Sequence, residues 1–397
     1  MTYSEALEWL FNQTRSGAPR GTQRVGEVLE HLGHPERHFP AIHVLGTNGK
    51  GSVVAYLEAA FRAAGMRYGA TTSPHLVDFR ERIRTHRGLI PEEQVTRFVE
   101  WVREQNFAGH PAFFDLATAL AFEHFAGVGV EMAAVEAGVG GLLDATNVLP
   151  DVRLTVLTNV GEDHLETLGG SLEAVARDKT GAFRAGVPVV TATEGIGLAV
   201  AREVAQSRRA PLYVLEPGNS LFELPVPPAL GGRVQLQNAR LATAALRLLG
   251  FPERVIAEGL RTAVHPGRMQ ELEQRGVRVV LDGAHNPPAA RALAEEFSGY
   301  HLVFGAFPRK DYSAVLGFLI PKARSVRYAR AGKGALQAAP LGLVYPAPYF
   351  EEPTEALEDA LRSAQKDGEP VLVTGSLYLV GEILKARAVC DSSRPLL

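Results

Sequence analysis

The stretch with the most chemical content is "HVLGTNGKGS", His43 to Ser52. An apolar run of strand length ends at Leu45. Gly46, Thr47, Asn48, Gly49, Lys50, Gly51 and Ser52 follow, and a helical repeat begins near Ser52. A glycine-rich turn between strand and helix directs backbone N–H groups inward, where they bind phosphate oxygens. Lys50 then neutralises the terminal phosphates, and the Ser52 hydroxyl ligates magnesium. The usual phosphate loop places its hydroxyl residue directly after the lysine. Here Gly51 intervenes, so the loop is a variant of that kind. An ordinary glycine turn is the alternative, but the order strand, loop, lysine, helix favours the nucleotide.

Other polar residues cluster at the ends of apolar runs. Ser73 in "TTSPHL" is a second oxygen donor for the same ion, or a simple Ser-Pro turn. Glu136 ends the run in "AVEAGVGGLLDATNV", where a carboxylate is costly unless paired or metal-bound. Asp144 and Asn147 follow three glycines in the same stretch. "TNVGEDHLETLG" carries Asp163 and His164, and the histidine reads evenly as a ligand or a structural residue. Lys179, beside Asp178, reads from its neighbours as a plain surface lysine. In the second half, Arg268 stands in "HPGRMQELE", and Asp282, His285 and Asn286 stand in "LDGAHNPPAA". Arg268 has the chemistry of a cationic clamp on a transferring phosphoryl group.

The elements that must hold these residues are strands alternating with amphipathic helices. "AIHVLG", "MRYGATT", "MAAVEAG" and "RLTVLTNVG" are strands, and Val53, Val54, Leu57, Ala60, Phe61 and Ala64 trace a helix that ends at Gly65. Pro91 opens another helix as its first residue, and Ser171 caps the helix that runs past Lys179. A second series, "VRVVLDGA", "HLVFGAF" and "EPVLVTGS", begins after "HPGRM". This alternation implies parallel sheets covered on both faces, with ligands at the carboxyl ends of the strands. The expected fold is α/β: a parallel-sheet P-loop ATPase domain over 1–265, then a smaller Rossmann-like α/β domain over 266–397. The Pro- and Gly-rich stretch 216–233 is a surface excursion.

Composition bounds the rest. A chain of 397 residues exceeds one ordinary core, and 46% hydrophobic residues exclude wholesale disorder. A net charge of −3 offers no basic field for nucleic acid. No apolar run reaches membrane-spanning length. The single cysteine, Cys390, forms no internal disulfide, which fits a reducing compartment. The N-terminus has no basic leader, and Ser4 reads as a helix cap. A cytoplasmic protein, without membrane or nucleic-acid partners, is expected.

Taken together, "HVLGTNGKGS", "TSPHL", "EAGVGGLLDATN", "LDGAHNP" and "VTGSLYLVGE" resemble the folylpolyglutamate synthase and dihydrofolate synthase family, within the Mur-type ATP-dependent amide ligases. The resemblance spans nearly the whole chain, and the glycine between Lys50 and Ser52 is a mark of that family's loop. It implies ATP held by Gly46 to Ser52, Asn238, Arg268 and Asp282. It implies magnesium, two ions, at Ser52, Ser73, Glu136, His164 and Lys179, the last carbamylated. A pteroyl pocket is implied at Gly21, Thr22, Phe113, Phe114, Asp115, Leu143, Asp144 and Ala145, and an amino-acid site near His285 and Ser376. Lys50, Glu136, His164, Lys179 and Arg268 are the implied catalytic set.

Four stretches depart from the family pattern: Leu142 stands for an arginine, Phe114–Asp115 for an aromatic–Glu pair, "RDKTG" for "EKAG", and the early "GTQR" is looser than the family's form. The implied reaction joins L-glutamate to a folate or dihydropteroate through an acyl phosphate, in a monomer. Competing readings are another Mur-type ligase of cell-wall synthesis and a P-loop switch that hydrolyses nucleotide without an acceptor.

Overall fold

Ala41–Leu45 is buried at all five positions, which makes it a central strand, β1. A side chain such as Leu45 contributes about 1.5–3 kcal/mol when fully withdrawn from water. The computed structural model of the protein describes residues 1–14 and 20–390. In it β1 lies between β5 (Met132–Glu136) and β6 (Val152–Leu157), parallel to both. The register pairs Val44 with Glu136 and Leu45 with Leu157, so three strand ends and their loops emerge side by side. The other strands of this sheet are β2 (Tyr68–Thr71), β3 (Ile83–Thr85), β4 (Gly88–Leu89), β7 (Val189–Thr191) and β8 (Leu212–Val214). The order is β4-β3-β2-β5-β1-β6-β7-β8.

The second sheet orders as β13-β12-β11-β14-β10-β9. Its strands are β9 (Gln270–Gln274), β10 (Val277–Leu281), β11 (Tyr300–Phe304), β12 (Ala323–Ala329), β13 (Tyr349–Phe350) and β14 (Val371–Thr374). Both sheets are parallel in their centres. Each departs from the all-parallel expectation at an edge: β3 and β4 form an antiparallel hairpin, and β9 runs antiparallel to β10.

The chain divides into two compact units. The first comprises Met1–Ser73, Phe79–Ala229 and Gln235–Ala263; the second comprises Pro74–Asp78, Leu230–Val234 and Val264–Leu397. The break after Ser73 therefore falls inside the "TSPHL" motif. Leu76 and Val77 pack on the core of the second unit, beside Val380 and Leu384. Among the described residues no helix is long and apolar enough to cross a membrane.

Local rules explain the helix starts, with three corrections. The first helix, Tyr3–Phe11, is capped by Thr2, whose hydroxyl accepts from Glu5 N while the Glu5 side chain accepts from Thr2 N. Ser4 lies inside the first turn, because the reciprocal Thr2–Glu5 pair satisfies two end donors at once. Pro91 stands one position before the helix Glu92–Glu104, with an extended ψ of 145°. The helix after the phosphate loop starts at Lys50 and not near Ser52, because Gly49 takes a left-handed φ of 85° that turns the chain at once. Ser171 does cap the helix Leu172–Thr180, accepting from Ala174 N at 3.1 Å.

Candidate active site

The loop after β1 is fixed by the neighbouring loop after β6. Thr47 N donates to Asn159 O at 3.0 Å, and Asn48 N donates to Asn159 Oδ1 at 3.0 Å. Thr158 Oγ1 donates to Asn48 O at 2.6 Å, and Thr47 Oγ1 accepts from Gly161 N at 3.0 Å. Gly46 has a φ of 140°, and a Cβ there would fall 1.8 Å from Thr158 Oγ1. A Cβ on Gly49 would fall 2.3 Å from Asn238 Oδ1, which places Asn238 directly against the loop. Thr158 and Asn159 were not singled out in the sequence; their place directly after an apolar strand was the signal.

Two lysines reach one loop carbonyl. Lys50 Nζ donates to Gly46 O and Thr47 O, each at 3.1 Å, and Lys179 Nζ donates to Gly46 O at 2.8 Å. Lys179 is buried, at 4% exposure, which overturns its reading as a surface lysine. Burial, with Lys50 nearby, lowers its pKa to about 7, while Asp163, Asp178 and Asp144 pull the other way. Glu136 faces this pair: Lys50 Nζ is 4.0 Å from its Oε1, and its Oε2 accepts from Ser73 N at 3.1 Å. Ser52 is buried in the first turn of the loop helix. His164 stands in a left-handed conformation, its side chain 42% exposed and 3.7 Å from Asp163.

The glycines of 138–141 let this stretch pass against its neighbours. A Cβ on Gly138 would strike the Phe114 ring at 2.6 Å, and one on Gly141 would strike Lys179 O at 2.5 Å. The loop is closed by Asp144. Its carboxylate accepts from Val139 N, Thr146 N and Thr146 Oγ1 at 2.9, 3.0 and 2.6 Å. Burial nevertheless raises the Asp144 pKa. Behind it, His43 Nε2 meets Thr146 Oγ1 at 2.8 Å, and full burial lowers the imidazole pKa to about 3.

The residues expected in a pteroyl pocket divide by role. Asp115 is committed to structure, accepting from Arg24 Nε and Ala112 N, both at 2.9 Å. Phe113 joins an aromatic group with Phe11 and Phe79, and the Arg82 guanidinium lies 5.1 Å from its ring centre. Phe114 lies on the glycine turn. Leu142 and Leu143 are exposed, and Ala145 is buried. Gly21 and Thr22 lead into the helix Gln23–His31.

The second unit has its own cluster at the carboxyl ends of β10 and β14. Asp282 accepts from Met269 N at 2.9 Å and Ala284 N at 2.8 Å. Burial raises its pKa, and Arg268 beside it opposes the rise. His285 Nδ1 is 2.8 Å from Gly283 O, and Asn286 caps the helix Pro287–Glu296 through Ala289 N. Ser376 Oγ accepts from Tyr378 N at 3.1 Å, and Gly375 N donates to Ala284 O at 3.0 Å, which ties the two loops together.

A phosphate loop on one parallel sheet, with a second α/β unit bearing a polar rim, defines a two-domain ligase of the Mur class. The glutamate ligase domain of the Mur ligases matches residues 267–377. The "Dihydrofolate synthase/folylpolyglutamate synthase" of Bacillus subtilis (strain 168) is 32% identical, over 96% of this chain and 98% of its own. The crystal structure of Escherichia coli FolC in complex with DHPP and ADP superposes with a TM-score of 0.87 at 28% identity, covering 98% of this chain and 99% of that one. The bifunctional enzyme from Yersinia pestis, complexed with AMPPNP and a Mn ion, gives 0.85 at 29% identity, with 98% of both chains covered. The chain belongs to the dihydrofolate synthase/folylpolyglutamate synthase family.

Proposed function

We propose that this protein is an ATP-dependent ligase that joins L-glutamate to a folate, and also accepts dihydropteroate. The observation that carries the reading is the convergence of Lys50 and Lys179 on Gly46 O, beside the Glu136 carboxylate. The acceptor carboxylate attacks the γ-phosphorus, giving an acyl phosphate and ADP. The glutamate amine then attacks the acyl carbon, the amide forms, and phosphate leaves with loss of the amine proton. Lys50 and the loop N–H groups offset charge on the phosphoryl oxygens. The family resemblance gives Asn238, Arg268 and Asp282 as nucleotide contacts, and His285 and Ser376 as residues near the incoming glutamate.

Ser52, Ser73 and Glu136 offer hard oxygen donors, which suit magnesium. Among the described residues no group of three or more His, Cys, Asp and Glu side chains is gathered for a metal. Magnesium commonly completes its shell with phosphate oxygens and water. When bound, the ion screens the charge of the outer phosphates. Glu136, Ser73 and Ser52 would hold it, and His164 and a carbamylated Lys179 would support a second. Carbamylation needs a neutral amine to attack carbon dioxide. A lysine pKa of about 7 supplies one at neutral pH. Gly21, Thr22, Phe114 and Leu143 to Ala145 take the pteroyl group.

The test is product mass. The protein is incubated with ATP, magnesium and glutamate, offering dihydropteroate and tetrahydrofolate separately. A gain of one or more glutamyl residues, with acceptor-dependent ADP release, is expected. ADP release without any acceptor, or turnover only with a UDP-linked acceptor, overturns the reading.

A further inference from the structure

Arg20 lies outside the nucleotide site, yet its guanidinium joins three separate segments. Nη1 donates to Asp178 Oδ2 at 2.8 Å, and Nη2 donates to Val139 O at 2.5 Å. Asp178 answers by accepting from Gly141 N at 2.8 Å through its other oxygen, while its carbonyl accepts from Leu142 N at 2.8 Å. The pair is withdrawn from water, with side chains 9% and 13% exposed. The fit leaves no slack: a Cβ on Gly140 would lie 2.0 Å from Asp178 Oδ1 and 2.5 Å from Arg20 Nη2. A planar fork with fixed donors suits such a joint, and a lysine cannot fill both contacts at once.

We infer that Arg20 is a positioning residue for the acceptor, an inference that rests on the pteroyl reading proposed above. Its guanidinium fixes the entry to the segment bearing Gly21 and Thr22. The same group pins the glycine turn on which Phe114 lies, and it holds Asp178, the residue before Lys179. The two sides of the acceptor pocket are thus joined through one side chain, and their spacing depends on it. The nucleotide loop has its own supports in Thr158 and Asn159 and meets the Arg20 joint only through Lys179 Nζ, so its backbone keeps its place without Arg20. The effect of removing Arg20 therefore falls on the acceptor and not on ATP.

The experiment measures KM for tetrahydrofolate and for ATP, with kcat, in the full-length wild type, Arg20→Ala, Arg20→Lys and Asp178→Asn. For Arg20→Ala, acceptor KM rises about tenfold or more while ATP KM stays within about twofold. Arg20→Lys falls between the two, and Asp178→Asn shifts acceptor KM in the same direction. A purely architectural role lowers active fraction, and with it kcat, while leaving both KM values alone; that result overturns the inference. A parallel rise in ATP KM overturns it too. Where Arg20→Ala does not fold, Arg20→Lys decides, and an unchanged acceptor KM in it counts against Arg20. A folded wild type that turns over neither acceptor overturns the ligase reading and this inference with it; turnover with unaltered variants overturns only the inference.

Discussion

The carboxyl edges of the two sheets solve the same problem with opposite charges. In the first, two lysine side chains, Lys50 and Lys179, gather at the carbonyl of Gly46, and Asn159 holds the N–H groups of Thr47 and Asn48. In the second, the carboxylate of Asp282 gathers the N–H groups of Met269 and Ala284. The first edge gathers side-chain donors around a loop carbonyl; the second uses a negative charge to fold its own loop and to face Arg268. The difference teaches that a polar residue at a strand end has two uses, and only its partners reveal which. Asp144 sharpens the contrast, since it folds a loop in the first unit as Asp282 does in the second.

The comparison can be broken most sharply at Lys50. Under the proposed reading, Lys50→Ala is expected to lower ligase kcat by about 10³-fold with the unfolding transition little changed, because its hydrogen bonds reach only carbonyls of its own loop. Steady-state kinetics beside thermal denaturation checks this, and near-normal turnover rejects the loop assignment. Next comes Lys179→Ala, with a loss of about 10²-fold that added acetate or formate partly restores. In the wild type, a carbamate signal from ¹³C-bicarbonate should grow as pH rises through about 7, since only the neutral amine reacts.

Linkage for Lys179 has the same sign. The folded amine titrates near 7 and the unfolded one near 10.5, so between these values the unfolded chain binds the extra proton and stability rises with pH. No carbamate signal at pH 8 would remove the modification from the scheme. The smallest effect belongs to the second edge. Asp282→Ala leaves the buried Ala284 N–H and the part-buried Met269 N–H without their acceptor, and urea denaturation should show a loss of about 2 kcal/mol. An unchanged midpoint would mean that Asp282 acts only on a ligand.

Much of this was readable beforehand where chemistry is local. Strand, glycine turn and lysine follow one another in sequence, so the turn from β1 into its helix was legible, as were Glu136 at its strand end and Asn286 as a cap. The rest required partners far along the chain. Lys179 sits in a helix with polar neighbours, and nothing local reveals its burial. It is buried because Gly141, distant in sequence, brings a second backbone against it. The edge strands β3, β4 and β9 escaped for a related reason: strands left partly open to water lack the continuous apolar runs that mark β1 or β5. Arg20 gave no signal, since an arginine among polar residues looks solvated until Asp178 and Val139 O are placed beside it.

The contact between Gly141 and the main chain at Lys179 also bears on tolerance to change. With Leu142 packed on Gly181 as well, the anchor of the lysine cannot slide forward or back. The nitrogen is delivered at the end of a four-carbon arm from a clamped base, so arm length alone decides whether it arrives. An ornithine at this position would leave its nitrogen short by about one bond, roughly 1.5 Å, with no backbone travel to recover the reach.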